Sequence, residues 1–240
     1  MVWDGLAESF QLISYDQRGY GQTDRPLMHY DLDIWADDLA ALLDELQIER
    51  AHVMGTSAGG MIALKFAAKY PDRCIGVVSD CAFAKCDTMR RIMFRTWRHM
   101  AQTWGCGPEF ADHVVTQAVG ADFLDGPNGQ PLIEMVRTIV GLNAVETVVQ
   151  ACIAMEEMDL REDCRKIRNP TLVITAAKDM LTPMLTGPDG AGAQWVVDNV
   201  PGCEAIVYED IGHADLVECP EKTIASATAF LHRAKEKVLG

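Results

Sequence analysis

The segment that most restricts the fold is Ala51-His-Val-Met-Gly-Thr-Ser-Ala-Gly-Gly60. An apolar run through Val53 and Met54 meets Gly55-Thr56-Ser57-Ala58-Gly59, and a long apolar stretch from Met61 to Tyr70 follows and stops at Pro71. That order reads as strand, sharp turn, helix. The turn asks for glycine two positions before and two after the serine, where a side chain would strike the neighbouring strand or helix. A serine held at its tip projects its hydroxyl outward, and the N–H of Ala58, in the first turn of the helix, faces any oxyanion formed beside it. Ser57 is therefore a candidate nucleophile and Ala58 a candidate oxyanion donor. By spacing alone Gly-x-Ser-x-Gly is a weak signal, shared with plain glycine-rich connections.

The rest of the chain alternates in the same way. A short helix over 2–9 places Trp3 and Leu6 inward, and Phe10-Gln-Leu-Ile-Ser-Tyr15 reads as a buried strand that ends in a turn-rich loop at 16–26. From Asp31, Trp35, Leu39, Leu42, Leu43 and Leu46 recur at helical spacing. Further strands are expected at 51–54, 74–79, 170–177 and 204–208, with helices at about 191–199 and 220–237. Strands alternating with helices imply parallel pairing, right-handed crossovers and a sheet covered on both faces, so the fold class is α/β.

Between 83 and 165 the alternation lapses into helix alone. Helices at about 108–119, 131–140 and 143–157 are expected, the last opened by Asn143 with Glu146 three residues on, an approximate capping box. The expected organisation is a core formed by 1–82 and 166–240, with an all-helical cap at 83–165 over the carboxyl ends of the strands, where ligands bind. Met89, Met93, Trp97, Met100 and Trp104 share one helical face, opposite Arg91, Arg95 and Arg98. Met61, Trp97, Met100 and Trp104 are candidate lining of a substrate pocket, although a stripe of this kind more often serves plain packing.

A chain of 240 residues, 49% hydrophobic, suffices for one sizeable core. Its net charge of −14 argues against nucleic acid and anionic membranes, whose phosphates it would repel. The eight cysteines are scattered with no Cys-x-x-Cys pair, which suggests small core residues in a reduced, cytoplasmic setting rather than a zinc site or disulfide framework. No apolar run reaches membrane-spanning length, and the first ten residues do not resemble a signal peptide.

A serine nucleophile needs a base, most often histidine, itself oriented by a carboxylate. Of the six histidines only His213 follows a late strand in a glycine-preceded loop, on the sheet edge where the Ser57 turn emerges. Asp179 occupies the matching loop after the preceding strand. Asp80, just after the strand at 74–79, is a rival orienting acid. Asp16 and Arg18 read as holding a loop rather than doing chemistry.

The order nucleophile, acid, histidine, with Gly55-Thr-Ser-Ala-Gly59, Asp179 before Thr182-Pro183, and Gly212-His213, resembles the α/β-hydrolase family. Tyr15-Asp-Gln-Arg-Gly-Tyr-Gly21 is similar to its early loop, and Met158-Asp-Leu-Arg161 with the placement of the cap resembles 3-oxoadipate enol-lactonases and related carboxylesterases. The resemblance implies a serine hydrolase of small carboxylic esters or lactones with a Ser57, His213, Asp179 triad and no cofactor or metal. Its partner would be a small-molecule substrate, not nucleic acid or membrane. Two other readings stand beside it: a carbon–carbon hydrolase of ring-fission diketones on the same triad, and a non-catalytic binding protein. The family also implies a central strand between 10–15 and 51–54, and a second oxyanion loop, that precede the first residue here. A shortened member is expected, with the sheet closed up by pairing those two strands or with its edge covered in a homodimer.

Overall fold

A computed structural model describes residues 2–239 of the chain. Among them lies a sheet of strands β1 (Ala51–Thr56), β2 (Cys74–Asp80), β3 (Thr171–Ala176) and β4 (Glu204–Tyr208), all parallel and in the spatial order β1-β2-β3-β4. Every strand therefore ends on the same edge of the sheet. The helices are α1 (Val2–Ala7), α2 (Leu32–Glu45), α3 (Ala58–Lys69), α4 (Thr88–Trp104), α5 (Pro108–Ala118), α6 (Ala121–Leu124), α7 (Gly129–Gly141), α8 (Val145–Glu157), α9 (Arg161–Cys164), α10 (Ala193–Asn199), α11 (Asp215–Glu218) and α12 (Pro220–Leu239). Helices α4 to α9 all fall between β2 and β3, so the strand–helix alternation lapses where the sequence said it would.

The period of two along the strands sorts residues between two cores. Val77 and Val173 point into the larger one, with Trp35 and Leu43 of α2 and Ile62, Leu64 and Phe66 of α3. Val78, Leu172 and Ile174 point into the other, against Phe230, Leu231 and Ala234 of α12. Side chains as fully buried as Phe66 contribute about 1.5–3 kcal/mol each. Strands β2 and β3 are buried at every position, flanked on both sides, whereas β1 is half-buried throughout. Helix α2 starts where expected, with Asp31 Oδ1 accepting the N–H of Ile34 at 2.8 Å.

Several expectations are corrected. Residues 10–15 form no strand and are mostly exposed, and the outer edge of β1 carries no pairing among the described residues. The sheet therefore does not close up across that gap. Phe10 instead stacks on His232, with ring centroids 4.9 Å apart. Trp3 is exposed and only Leu6 of α1 is buried. Asn143 does not open α8: its side-chain amide donates to the carbonyls of Ile139 and Val140 at the end of α7, and Ala144 takes the N-cap position.

The apolar stripe of α4 is likewise not its buried face. Phe94 and Ala101 are buried, with Trp97 and Arg98 beside them, while Met89 and Trp104 are 67% and 59% exposed. Neighbours decide this. Helix α4 packs against α8 and α5, Trp97 meets Phe94 and Phe110 edge-on, and Arg98 reaches Glu156 of α8 at 3.6 Å.

Candidate active site

The turn after β1 holds Ser57 at φ 57°, ψ −121°, left-handed backbone that costs a non-glycine residue of the order of 1–3 kcal/mol. The strain is held from two sides. Ser57 N–H donates to the carbonyl of Asp80 at the end of β2 (2.9 Å), and the carbonyl of Ser57 accepts Met61 N–H as α3 begins (3.1 Å). A Cβ on Gly55 would lie 2.3 Å from the carbonyl carbon of Gly59, and one on Gly60 would lie 2.9 Å from Ala82 Cβ and from Gly55 O. At Gly59 a Cβ meets nothing within 4 Å. The tight approach thus needs Gly55 and Gly60, which corrects the expectation that both Gly55 and Gly59 were required. Ala58 is the first residue of α3, so its N–H lies among the four amides that the helix leaves without an internal partner.

Asp179 follows β3 and His213 follows β4, and the fold joins them. His213 Nδ1 lies 2.9 Å from Asp179 Oδ2 and 3.1 Å from Thr182 Oγ1. A nitrogen facing a carboxylate carries the proton, which leaves the lone pair on Nε2. The other oxygen of Asp179 accepts the N–H groups of Leu181 and Thr182, both at 2.8 Å, in a turn closed by its own side chain. Burial opposes ionisation of this carboxyl, but the His213 and Thr182 donors together hold it below the usual carboxylate range. Asp80 does not take this role: its Oδ2 accepts the Thr56 hydroxyl at 2.6 Å.

No hydrogen bond joins Ser57 Oγ to His213 among the described residues, a looseness common in free enzymes. Of the expected pocket residues, Met61 is bonded to Ser57 through its backbone N–H and the other three lie on α4. Met61 is buried in the larger core, the Trp97 indole N–H donates to Gln117, Trp104 is exposed and Met100 is half-buried on α4. Asp16 and Arg18 hold their loop as read, Asp16 by accepting Gln22 N–H and Arg18 by a bidentate pair with Asp38.

Two groups that sequence reasoning missed complete the setting. Thr182 Oγ1 stands 2.6 Å from both Asp179 Oδ2 and the carbonyl of Cys81, tying the acid to the end of β2. Glu218 accepts Gly212 N–H with one oxygen and Gly120 N–H with the other, and Ala214 N–H donates to Ala118 O. The histidine loop is thereby bound to the end of α5. Ligand-type atoms of Cys81, Asp179 and His213 come within 4.8 Å, as do those of Asp80, Cys81 and Asp215. In the first trio Asp179 and His213 are already joined by their own hydrogen bond.

Comparison with known proteins decides the family. A protein of Caulobacter sp. (strain K31) named "Putative carbamate hydrolase RutD" is 30% identical over 230 residues, 94% of this chain and 82% of that one. The chain is an α/β hydrolase. The family model described as alpha/beta hydrolase fold matches residues 2–104, which include the strand–turn–helix around Ser57. 3-Oxoadipate enol-lactonase 2 of Acinetobacter baylyi is 27% identical over 241 residues, 97% of this chain and 84% of that one. The crystal structure of the enol-lactonase from Burkholderia xenovorans LB400 shares the fold with a TM-score of 0.81 at 24% identity, over 91% of this chain and 79% of that one.

Proposed function

We propose that this α/β hydrolase cleaves a small carboxylic ester or lactone with Ser57 as nucleophile, His213 as base and Asp179 as orienting acid. The observation that carries the reading is the His213 Nδ1 to Asp179 Oδ2 bond of 2.9 Å at the strand ends where Ser57 also sits, on backbone held at φ 57°. In this reading His213 Nε2 takes the Ser57 proton as Oγ attacks the carbonyl, and Asp179 stabilises the imidazolium. Ala58 N–H binds the oxyanion. The proton passes to the leaving oxygen, and water then releases the acyl group by the same steps in reverse order of roles.

Relatives named for an enol-lactonase and a carbamate hydrolase support an acyl carbonyl with a heteroatom leaving group as the shared substrate chemistry. Helices α4 to α9 serve as the cap in this scheme, fastened to the histidine loop by Glu218. Ser57→Ala is expected to lower turnover of a short p-nitrophenyl ester by roughly 10⁴-fold or more and to abolish fluorophosphonate labelling, with an unchanged melt. Undiminished turnover in that variant rejects the reading. A wild-type chain that melts cooperatively but never labels points instead to a binding protein.

A further inference from the structure

Beside the proposed triad sit two carboxyl groups that form no ion pair among the described residues. Asp80 and Asp215 are both wholly buried. Asp80 Oδ2 accepts the Thr56 hydroxyl at 2.6 Å, and Asp215 Oδ2 accepts the Thr223 hydroxyl at 2.8 Å. The Oδ1 atom of each is buried without a well-formed hydrogen bond among the described residues, the nearest further donors being the Cys81 thiol at Asp80 and the Leu216 N–H at Asp215. Carboxylate oxygens of the two lie within 4.8 Å of one another.

The titratable groups facing them are Cys81, Tyr208, Glu218, Cys219 and His213. All but the histidine are acids. Two ionised carboxylates in that company would leave two bare oxygens repelling each other out of water, whereas one proton between them supplies both a donor and an acceptor. Burial, then the neighbouring charge of Asp215, pushes Asp80 well above the usual carboxylate range, and burial raises Asp215 as well.

The two residues stand at the joint of the site. Asp80 closes β2, where its carbonyl takes Ser57 N–H and its side chain takes Thr56 of the same elbow. Asp215 lies two residues after His213 and is gripped by Thr223 of α12. We propose that Asp80 and Asp215 share a single proton and act as positioning residues, clamping the His213 loop to the elbow that carries Ser57. This rests on the triad reading above. Loss of the shared proton sets two carboxylates against each other and loosens base from nucleophile, so the rate falls at alkaline pH.

Asp80→Asn keeps an N–H donor toward Asp215, and Asp80→Ala keeps none. The alanine variant is expected to lose roughly 10–100-fold in kcat on a p-nitrophenyl ester with little change in KM. The asparagine variant should recover most of that loss and lack the alkaline fall of the wild type. Infrared spectra at about pH 7, where ordinary carboxyls are ionised, should show a protonated carboxyl C=O band in the wild type that Asp80→Asn lacks. This band does not depend on activity or on the fate of the alanine variant. It should persist in Ser57→Ala, so that failure of the triad reading and failure of the shared proton are separate results. Equal losses in the two Asp80 variants, absence of the band, or a stoichiometric metal ion released by Asp80→Asn would overturn the proposal.

Discussion

Thr182 shows how much a single hydroxyl can organise. One oxygen stands within hydrogen-bond reach of the Asp179 carboxylate, the Cys81 carbonyl and His213 Nδ1. Thr182→Val keeps the shape but leaves buried acceptors short of a donor, and a loss of about 1–3 kcal/mol is expected in chemical denaturation. Turnover should fall with it, because the imidazole loses one of the two groups that fix its ring. Asp80 yields a result of opposite sense. Its folded-state acidity is weakened, so its contribution to stability is full below the unfolded carboxyl value and is lost as pH rises through the folded one. The Tm of Asp80→Asn should therefore gain on that of the wild type as pH climbs from about 4 toward neutrality, measured by scanning fluorimetry. A constant gap across that range would show that Asp80 ionises normally.

Among the elements, β1 and its turn carry Ser57 and form the half-buried edge of the sheet. Gly55→Ala drives a methyl into the backbone of Gly59 and is expected to abolish soluble folded protein, whereas Gly59→Ala, whose methyl would meet nothing within 4 Å, should be at least as stable as wild type. His52 sits on the same strand beside Phe10, with both ring nitrogens buried and without a partner among the described residues. Burial, with Lys235 and His232 nearby, lowers its pKa to about 4. The folded chain thus resists a proton that the unfolded chain accepts, and stability is lost as pH falls from about 6.5 toward 4. His52→Leu should remove that acid-side loss in urea titrations at a series of pH values. These same elements mark what the sequence could reveal. Ser57, Asp179 and His213 each follow a short apolar strand, so one-dimensional order was enough to place them on a common edge. The segment 10–15 carries the same strand pattern, but a strand exists only where a neighbour accepts its amides, and here none does. Helix α4 had its apolar arc read correctly and its buried side wrongly, because α8 and α5 choose the side. Thr182, Glu218 and the Asp80 and Asp215 pair were invisible for a similar reason: each acquires its role from a loop far away in the chain.

At the scale of the molecule, a net charge of −14 sets the electrostatic background. Self-repulsion of that size opposes compaction, while surface ion pairs such as Arg73 with Asp44 or Arg165 with Glu162 return little each. Added salt up to about 0.15 M should therefore raise Tm, by about 2–4 °C for each kcal/mol of relief. A fall would show that ion-pair networks such as Lys65 with Asp33 and Asp163, which tie α2, α3 and α9 together, outweigh the repulsion. No single described helix is long and apolar enough to cross a membrane. The Glu218 carboxylate, fastened to Gly120 on one side and Gly212 on the other, makes the helical layer and the His213 loop mechanically one part. On the proposed triad, a bulky acyl group that pries the helices outward would drag the base away from the alcohol, so oversized esters should be turned over slowly rather than held poorly.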